Sequence, residues 1–336
     1  MSSSAILLLS TLAAALPITL YIALIYWVDR YEKEPWWLLL ATFFWGAVPS
    51  ILFAYLFNAL FSMPVYLLAG NTLGTTISAS FVVPIVEESI KGLAVLVILW
   101  LWRDEIDSPL DGIIYGAMVG LGFALVENVY YFVNVYGEGG LEAWEVNVFV
   151  RSIVFGLNHA LFTSMTGLGI AIARTSTQPL VKVVALVGGW TTAVFLHFLH
   201  NFSVSFGNLL CLVALLSDWG GLLLTLLIIV WALLQERQWL RHYLAEEVSL
   251  GHLTTSQYLV VCSGRRRFRE QRRVLLENGP AAYWRLVRSH QRLSELAYKK
   301  HHYRRFQDDR SQQLINALRA EIKEVFVVVP SEPDRV

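Results

Sequence analysis

Seven apolar stretches, each long enough to cross about 30 Å of hydrocarbon at about 1.5 Å per residue, constrain this chain more than any other feature. They fall near residues 5–28, 36–61, 77–102, 112–134, 148–173, 181–204 and 219–235. In lipid every backbone N–H and C=O must find a partner within the protein, so stretches of this length fold as helices. Composition agrees: 15% of the 336 residues are charged and 56% are hydrophobic, against about 25% charged for a soluble domain. The expected fold is an all-α, polytopic transmembrane helix bundle of about seven spans. Segment 206–218 is also apolar, and either lengthens the last span or forms a re-entrant piece.

The formal net charge of zero hides an asymmetry. Residues 1–234 carry 7 Lys+Arg against 14 Asp+Glu, and residues 235–336 carry 19 against 12. This divides the chain into a transmembrane body, 1–235, and a basic helical tail, 236–336. Arg30, Lys33, Arg103, Arg174 and Lys182 lie in or beside alternate loops, and all fall on the tail's side if the spans number seven. The opposite loops, near 62–76, 135–147 and 205–218, contain no Lys or Arg. Basic loops stay cytoplasmic, which puts the N-terminus outside and the tail in the cytosol. The first apolar run lacks a basic leader and reads as a retained span. Arg151 and Lys182, near span ends, are expected to snorkel. Trp27, Trp36, Trp37, Trp100, Trp102, Trp144 and Trp219 are expected as interfacial anchors. Cys211 and Cys262 suggest neither a disulfide nor a metal site. The basic run Arg265–Arg273 reads as a solvated flank or as a contact for anionic lipid or a partner. No nucleic-acid recognition fold is visible. The oligomeric state is not written in the sequence.

Ionisable groups inside spans cost at least ~2.5–3.5 kcal/mol each, so they face cavities and mark function. Here they cluster. The third span holds Glu87, Glu88 and Lys91, the fourth Glu127 beside Asn128, the fifth His159 beside Asn158, and the sixth His197, His200 and Asn201. Counted from the outer ends of their spans, Glu88 and His159 lie roughly 16 Å deep, and Glu127 and His197 roughly 10 Å. Within the error of the span boundaries this is one layer, between the bilayer centre and the outer surface. A shared polar pocket follows. Lys91 is i,i+4 from Glu87 and i,i+3 from Glu88, and reaches back to either. The two glutamates are ~100° apart on the helix, so one faces the pocket and the other supports it through Lys91. His200 alone reads as an interhelical hydrogen bond. Gly116, Gly120 and Gly122 permit close helix approach.

A buried Glu balanced by a Lys is a good general base for activating water. With Glu and two His available, a catalytic zinc with an open water position is chemically feasible. There is no HExxH pair on one helix, so any ligands come from separate helices. Water-mediated amide hydrolysis fits the residue types best. A proton-coupled transporter and a non-catalytic membrane scaffold remain alternatives; the transporter requires polar groups continuing to both surfaces, and the spans below the cluster look apolar.

Glu87-Glu88-Ser89-Ile90-Lys91 matches an EExxK motif, Phe123 to Asn128 matches FxxxEN, and His159–Ser164 and His197–Asn201 match two following His motifs. Asp29 to Trp36 is also typical. In this order on successive spans, from Asp29 to Asn201, they resemble the PrsW family of intramembrane proteases, related to the CAAX-processing and bacteriocin-immunity group. The resemblance implies cleavage of a membrane-spanning protein, an anti-sigma factor or similar regulator, near its extracytoplasmic side in a prokaryotic inner membrane. It implies Glu87 or Glu88 as the water-activating base, and Glu127, His159 and His197 as catalytic or metal-binding. Lys91 and Asn128 would support them. Asn201 falls where the CAAX-processing relatives place an oxyanion-binding residue. Those relatives carry FxxxH where this chain has Phe123 and Glu127, so zinc chemistry and hydrolysis by glutamate alone both stay open.

Overall fold

The computed structural model describes residues 2–207 and 209–327. It is helical, with no strand among the described residues. Two compact units emerge: Met1–Val28 with Glu34–Ile229, and Asp29–Lys33 with Val230–Val336.

The first unit begins with α1 (Ser3–Val28), which is followed by α2 (Trp36–Trp45), a π-helical turn (Gly46–Ser50) and α3 (Ile51–Ile77). A second π turn (Ser78–Val82) leads into α4 (Val83–Leu101), then come α5 (Pro109–Phe149), a third π turn (Val150–Val154), α6 (Asn158–Thr175) and α7 (Pro179–Phe206). The last helix, α8 (Leu210–Ser249), contributes its first half. Among the described residues, four helical runs are long and apolar enough to cross a membrane: Ser3–Val28, Pro109–Thr175, Pro179–Phe206 and Leu210–Ser249.

Two runs of this unit double back. The sequence suggests loops near 62–76 and 135–147, yet helix continues through both and reverses at one glycine each, Gly70 (φ 73°) and Gly140 (φ 72°). These left-handed backbone angles are open to glycine and costly for other residues. The reversal at Gly140 is visible in the pairing. Gly112 meets Gly167, Gly116 meets Thr163, Gly120 meets His159 and Glu127 meets Arg151, one limb descending as the other rises. With both fold-backs, the unit is a stack of seven helical limbs, matching the seven apolar stretches. Segment 206–218 lengthens the last limb, because α8 starts at Leu210.

Polar contacts within this body replace some expected interfacial positions. Trp144 is 8% exposed and donates to Ser10 Oγ at 2.9 Å, so it ties α1 to α5 rather than anchoring at an interface. Tyr21 Oη donates to Ser152 O at 2.7 Å, a second tie to α1. At the end of the stack that carries the basic loops, Arg174 Nε donates to Arg103 O at 3.2 Å.

The second unit is built from the end of α8, α9 (Thr255–Val261), α10 (Gly264–Phe306) and α11 (Asp309–Val327). It has its own core of Leu240, Leu244, Leu293, Leu296, Ile315 and Leu318, joined by Tyr31. Arg267, from the middle of the basic run, is not a solvated residue. It is 5% exposed and donates to Val261 O, Tyr31 O and Ser294 Oγ at 2.7, 3.1 and 2.6 Å.

Candidate active site

Four limbs bring the ionisable residues together in the first unit. Gly112, Gly116 and Gly120 on α5 sit where a Cβ would strike the backbone of Gly167, Thr163 and His159. This closeness of α5 and α6 carries His159 to the side of Glu127: His159 Nε2 lies 2.6 Å from Glu127 Oε2. On α4, Glu88 and Lys91 are fully buried and 2.5 Å apart. Lys91 Nζ is also 3.3 Å from His159 Nδ1 and 4.3 Å from the centre of the Phe123 ring. From α7, His197 Nδ1 reaches Glu88 Oε1 at 2.9 Å, and its ring stacks on Phe162 with centroids 5.0 Å apart.

The two glutamates of EExxK differ in how fully they are bonded. Glu88 has Lys91 and His197 on Oε1 and accepts from Thr163 Oγ1 on Oε2 at 3.0 Å. Glu87 accepts a long bond from Asn58 Nδ2 at 3.4 Å on Oε1. Its Oε2 is buried with no hydrogen-bond partner, Lys91 Nζ lying 3.9 Å away and His197 Nε2 4.0 Å. Buried carboxylate oxygens are nearly always bonded, so this one stands out.

The carboxylates also select tautomers. In a neutral imidazole the nitrogen facing a carboxylate carries the proton, and the other keeps its lone pair. His197 therefore donates from Nδ1 to Glu88 and keeps a lone pair on Nε2. His159 donates from Nε2 to Glu127 and keeps one on Nδ1. Glu87, His159 and His197 each offer a ligand atom, all within 4.8 Å of one another. Two imidazole nitrogens and a carboxylate oxygen are a familiar donor set for a catalytic divalent metal. Carboxylates bonded to the far side of each imidazole are the usual supporting shell. The residues present therefore fit a metal.

Several residues differ from their sequence-based expectation. The carboxylate gathered with the two imidazoles is Glu87, whereas Glu127 is engaged by His159 and by Arg151 Nη2 at 2.9 Å. Arg151 does not snorkel: its Nε also donates to Asn128 Oδ1 at 2.9 Å, and its guanidinium lies 4.0 Å over the Tyr131 ring. Asn128 thus supports Glu127 through Arg151. Asn201 shares a helix face with His197, but its Nδ2 donates to Ala79 O at 2.9 Å and is not gathered with the cluster. His200 makes the expected interhelical bond, to Asp218 Oδ2 at 2.7 Å, and Asn158 Nδ2 joins the same oxygen at 2.8 Å. Asp218, fully buried on α8, is absent from the sequence-based set; the signal for it is a single acid between two apolar stretches.

Comparison with known proteins identifies the family. Protease PrsW of Oceanobacillus iheyensis is 28% identical over 199 residues, covering 58% of this chain and 83% of that protein. Protease PrsW of Bacillus subtilis is 27% identical over 206 residues, covering 61% and 83%. Protease PrsW of Clostridioides difficile is 32% identical over 157 residues, covering 46% and 62%. No solved structure is a significant match. The profile of the PrsW family intramembrane metalloprotease matches residues 34–236, which take in every limb that contributes to the Glu/His cluster. The chain is therefore an integral membrane peptidase, and it belongs to the PrsW family of intramembrane metalloproteases.

Proposed function

We propose that the chain hydrolyses a peptide bond of a membrane-spanning regulator, of the anti-sigma-factor kind, in the chamber formed by Glu87, Glu88, His159 and His197. The observation that carries this reading is the unpartnered, buried Glu87 Oε2 facing two imidazoles from other helices. Glu87 Oε2 receives the proton of the attacking water, since both Glu88 oxygens are already hydrogen-bonded, to Lys91, His197 and Thr163. Glu88 and Glu127 fix the ring orientations of His197 and His159 by hydrogen bonds. Lys91 pairs with Glu88 and lies beside His159, and the proton taken up by Glu87 passes on to the leaving amine. With Glu87 as a ligand in place of a base, Glu87, His159 and His197 would hold a divalent ion such as zinc, which when bound supplies Lewis-acid polarisation of the carbonyl and a more acidic water.

The chamber belongs to the outer half of the bilayer in this reading, with the N-terminus outside and the tail cytosolic. Measured along each helix from the end bearing the basic loops, Glu88 is about 20 Å in from Leu101, and His197 about 27 Å from Pro179. His159 is about 24 Å from Thr175, in a hydrocarbon layer of about 30 Å.

The test is a proteomic comparison of a null strain with strains complemented by the wild type, Glu87→Gln or His159→Ala. We expect one or more membrane proteins to accumulate uncut in the null and both variant strains. Full cleavage in Glu87→Gln, Glu88→Gln and His159→Ala alike would overturn the proposal. Metal content of the purified protein, measured by plasma mass spectrometry, should fall in His197→Ala.

A further inference from the structure

The second unit contains a cavity of about 400 Å³ lined by Arg237 and Arg241 of α8, Tyr258 of α9, Cys262, and Ser263 and Arg266 at the start of α10. Three guanidinium groups share its wall, with no Asp or Glu among the lining residues. No ion pair involves Arg237, Arg241 or Arg266 among the described residues, whereas Arg273 and Arg292 nearby in sequence are paired to glutamates. Arg237 Nε is buried with no hydrogen-bond partner. The other polar groups add no negative charge. Burial pushes the Cys262 thiol up to about 11 and raises the Tyr258 hydroxyl, so both stay neutral. Ser263 caps α10, its Oγ accepting from Arg266 N, so the positive end of that helix also belongs to the cavity wall.

Like charges gathered without a counter-charge, one donor of them dry and unbonded, call for an anion with several acceptor oxygens. Arginine matches phosphate through paired N–H donors. Helix starts favour the same group. Arg237 and Arg241 are one turn apart, and are the first basic residues after the apolar stretch ending at Leu234 on the same helix. They lie about 5 and 10 Å beyond Leu234 along the axis, the depth at which a span leaves hydrocarbon for headgroups. Arg266 comes from the basic run Arg265–Arg273, so the run contributes one specific donor here rather than only diffuse charge.

We propose that this cavity is a phosphate-binding pocket, taking the phosphate of an anionic lipid headgroup or of a soluble phosphate compound. The pocket is separate from the Glu/His cluster, and its occupancy is tested without reference to cleavage.

The experiment uses the full chain purified in dodecyl maltoside, a detergent without phosphate. Its binding of short-chain phosphatidylglycerol and of inorganic phosphate is measured by thermal shift and calorimetric titration, against sodium chloride at equal ionic strength. Arg237→Gln, Arg241→Gln and Arg266→Gln are compared with Arg269→Gln and Arg272→Gln, which remove the same charge from the same tail outside the cavity. Arg266 is exposed, so its replacement cannot fail by unfolding the core. Binding of either probe should weaken tenfold or more in each pocket variant and less than twofold in the controls. A response to phosphatidylglycerol alone identifies the lipid headgroup as the source; a response to both identifies phosphate as sufficient. Absence of binding to both probes, or equal weakening in Arg269→Gln and Arg272→Gln, would overturn the pocket.

Discussion

Glu87 and Glu247 are both buried carboxylates among cations and imidazoles, and their surroundings treat them in opposite ways. Glu247 is 1% exposed. Its Oε1 takes Lys300 Nζ at 2.7 Å and Arg319 Nη2 at 2.7 Å, and its Oε2 takes His252 Nδ1 at 2.7 Å. No acceptor position is spare. Glu87 has one long bond from Asn58 and an oxygen with none. A saturated buried network fixes a fold, while a partly satisfied one stores chemistry at a cost in stability. The tail network is therefore read as structural and the membrane cluster as reactive, although both contain the same residue types.

The sharpest way to break this contrast is Glu87→Gln. Loss of a general base costs about 10²–10⁴-fold in rate. We expect cleavage of a co-expressed membrane substrate to fall by that factor, with the thermal midpoint unchanged or raised. The amide keeps the shape of the side chain and replaces a buried carboxyl group that lacks a full set of partners. A loss of stability with cleavage retained would make Glu87 a structural residue like Glu247.

Glu247→Gln should do the reverse. Removing one member of a buried ion network leaves its partners uncompensated, at about 3–5 kcal/mol for full burial. Lys300 is 8% and Arg319 25% exposed by side chain, and both keep Glu246 at 2.6 and 3.5 Å, so at most the lower end of that range applies. The second unit should become sensitive to limited proteolysis, while the cleavage rate per folded molecule stays within twofold. A large fall in that rate would show that the tail network reaches the reaction.

Between these two lies Gly120→Ala, which acts on packing alone. The added methyl would meet the carbonyl of His159 and push α5 from α6. Overpacking of this kind costs about 1–3 kcal/mol. It also displaces the imidazole that Glu127 orients, so both stability and cleavage should decline, cleavage by about tenfold. Unchanged cleavage would show that the helix pair gives way elsewhere.

The sequence discloses the bundle and most of the cluster for a physical reason. Charged side chains are expensive in lipid, so Glu87, Glu88, Lys91, His159 and His197 stand out against apolar neighbours. What it hides depends on turns and on rotamers. Residues 135–147 contain three glycines and three glutamates and look like a loop, so the sequence alone puts Arg151 at a span end. Helix continues to Gly140, which puts Arg151 about 16 Å inside its limb and within reach of Glu127. Asn201 shows the opposite error: i,i+4 spacing from His197 gives a common face but not a common partner. The choice of Glu87 over Glu127 beside the imidazoles rests on which side-chain oxygens are already bonded, and no spacing rule encodes that.

Arg151 offers the finest test, because it separates charge from geometry within the cluster. Its guanidinium holds Glu127 through Nη2, Asn128 through Nε, and lies over Tyr131. Lysine keeps the charge but not the planar fork or the stacking. Arg151→Gln should free Glu127 from its cation and let His159 tilt, lowering cleavage by about tenfold, equivalent to about 1.4 kcal/mol. Arg151→Lys should recover part of that loss if the charge beside Glu127 is what matters, and none if orientation through Asn128 and Tyr131 is. Cleavage rates of the two variants on one substrate, with thermal midpoints as the control, distinguish these outcomes. If both retain the full rate, the Glu127–Arg151 pair is a clasp between helix limbs, and it belongs with Glu247 on the structural side of the comparison.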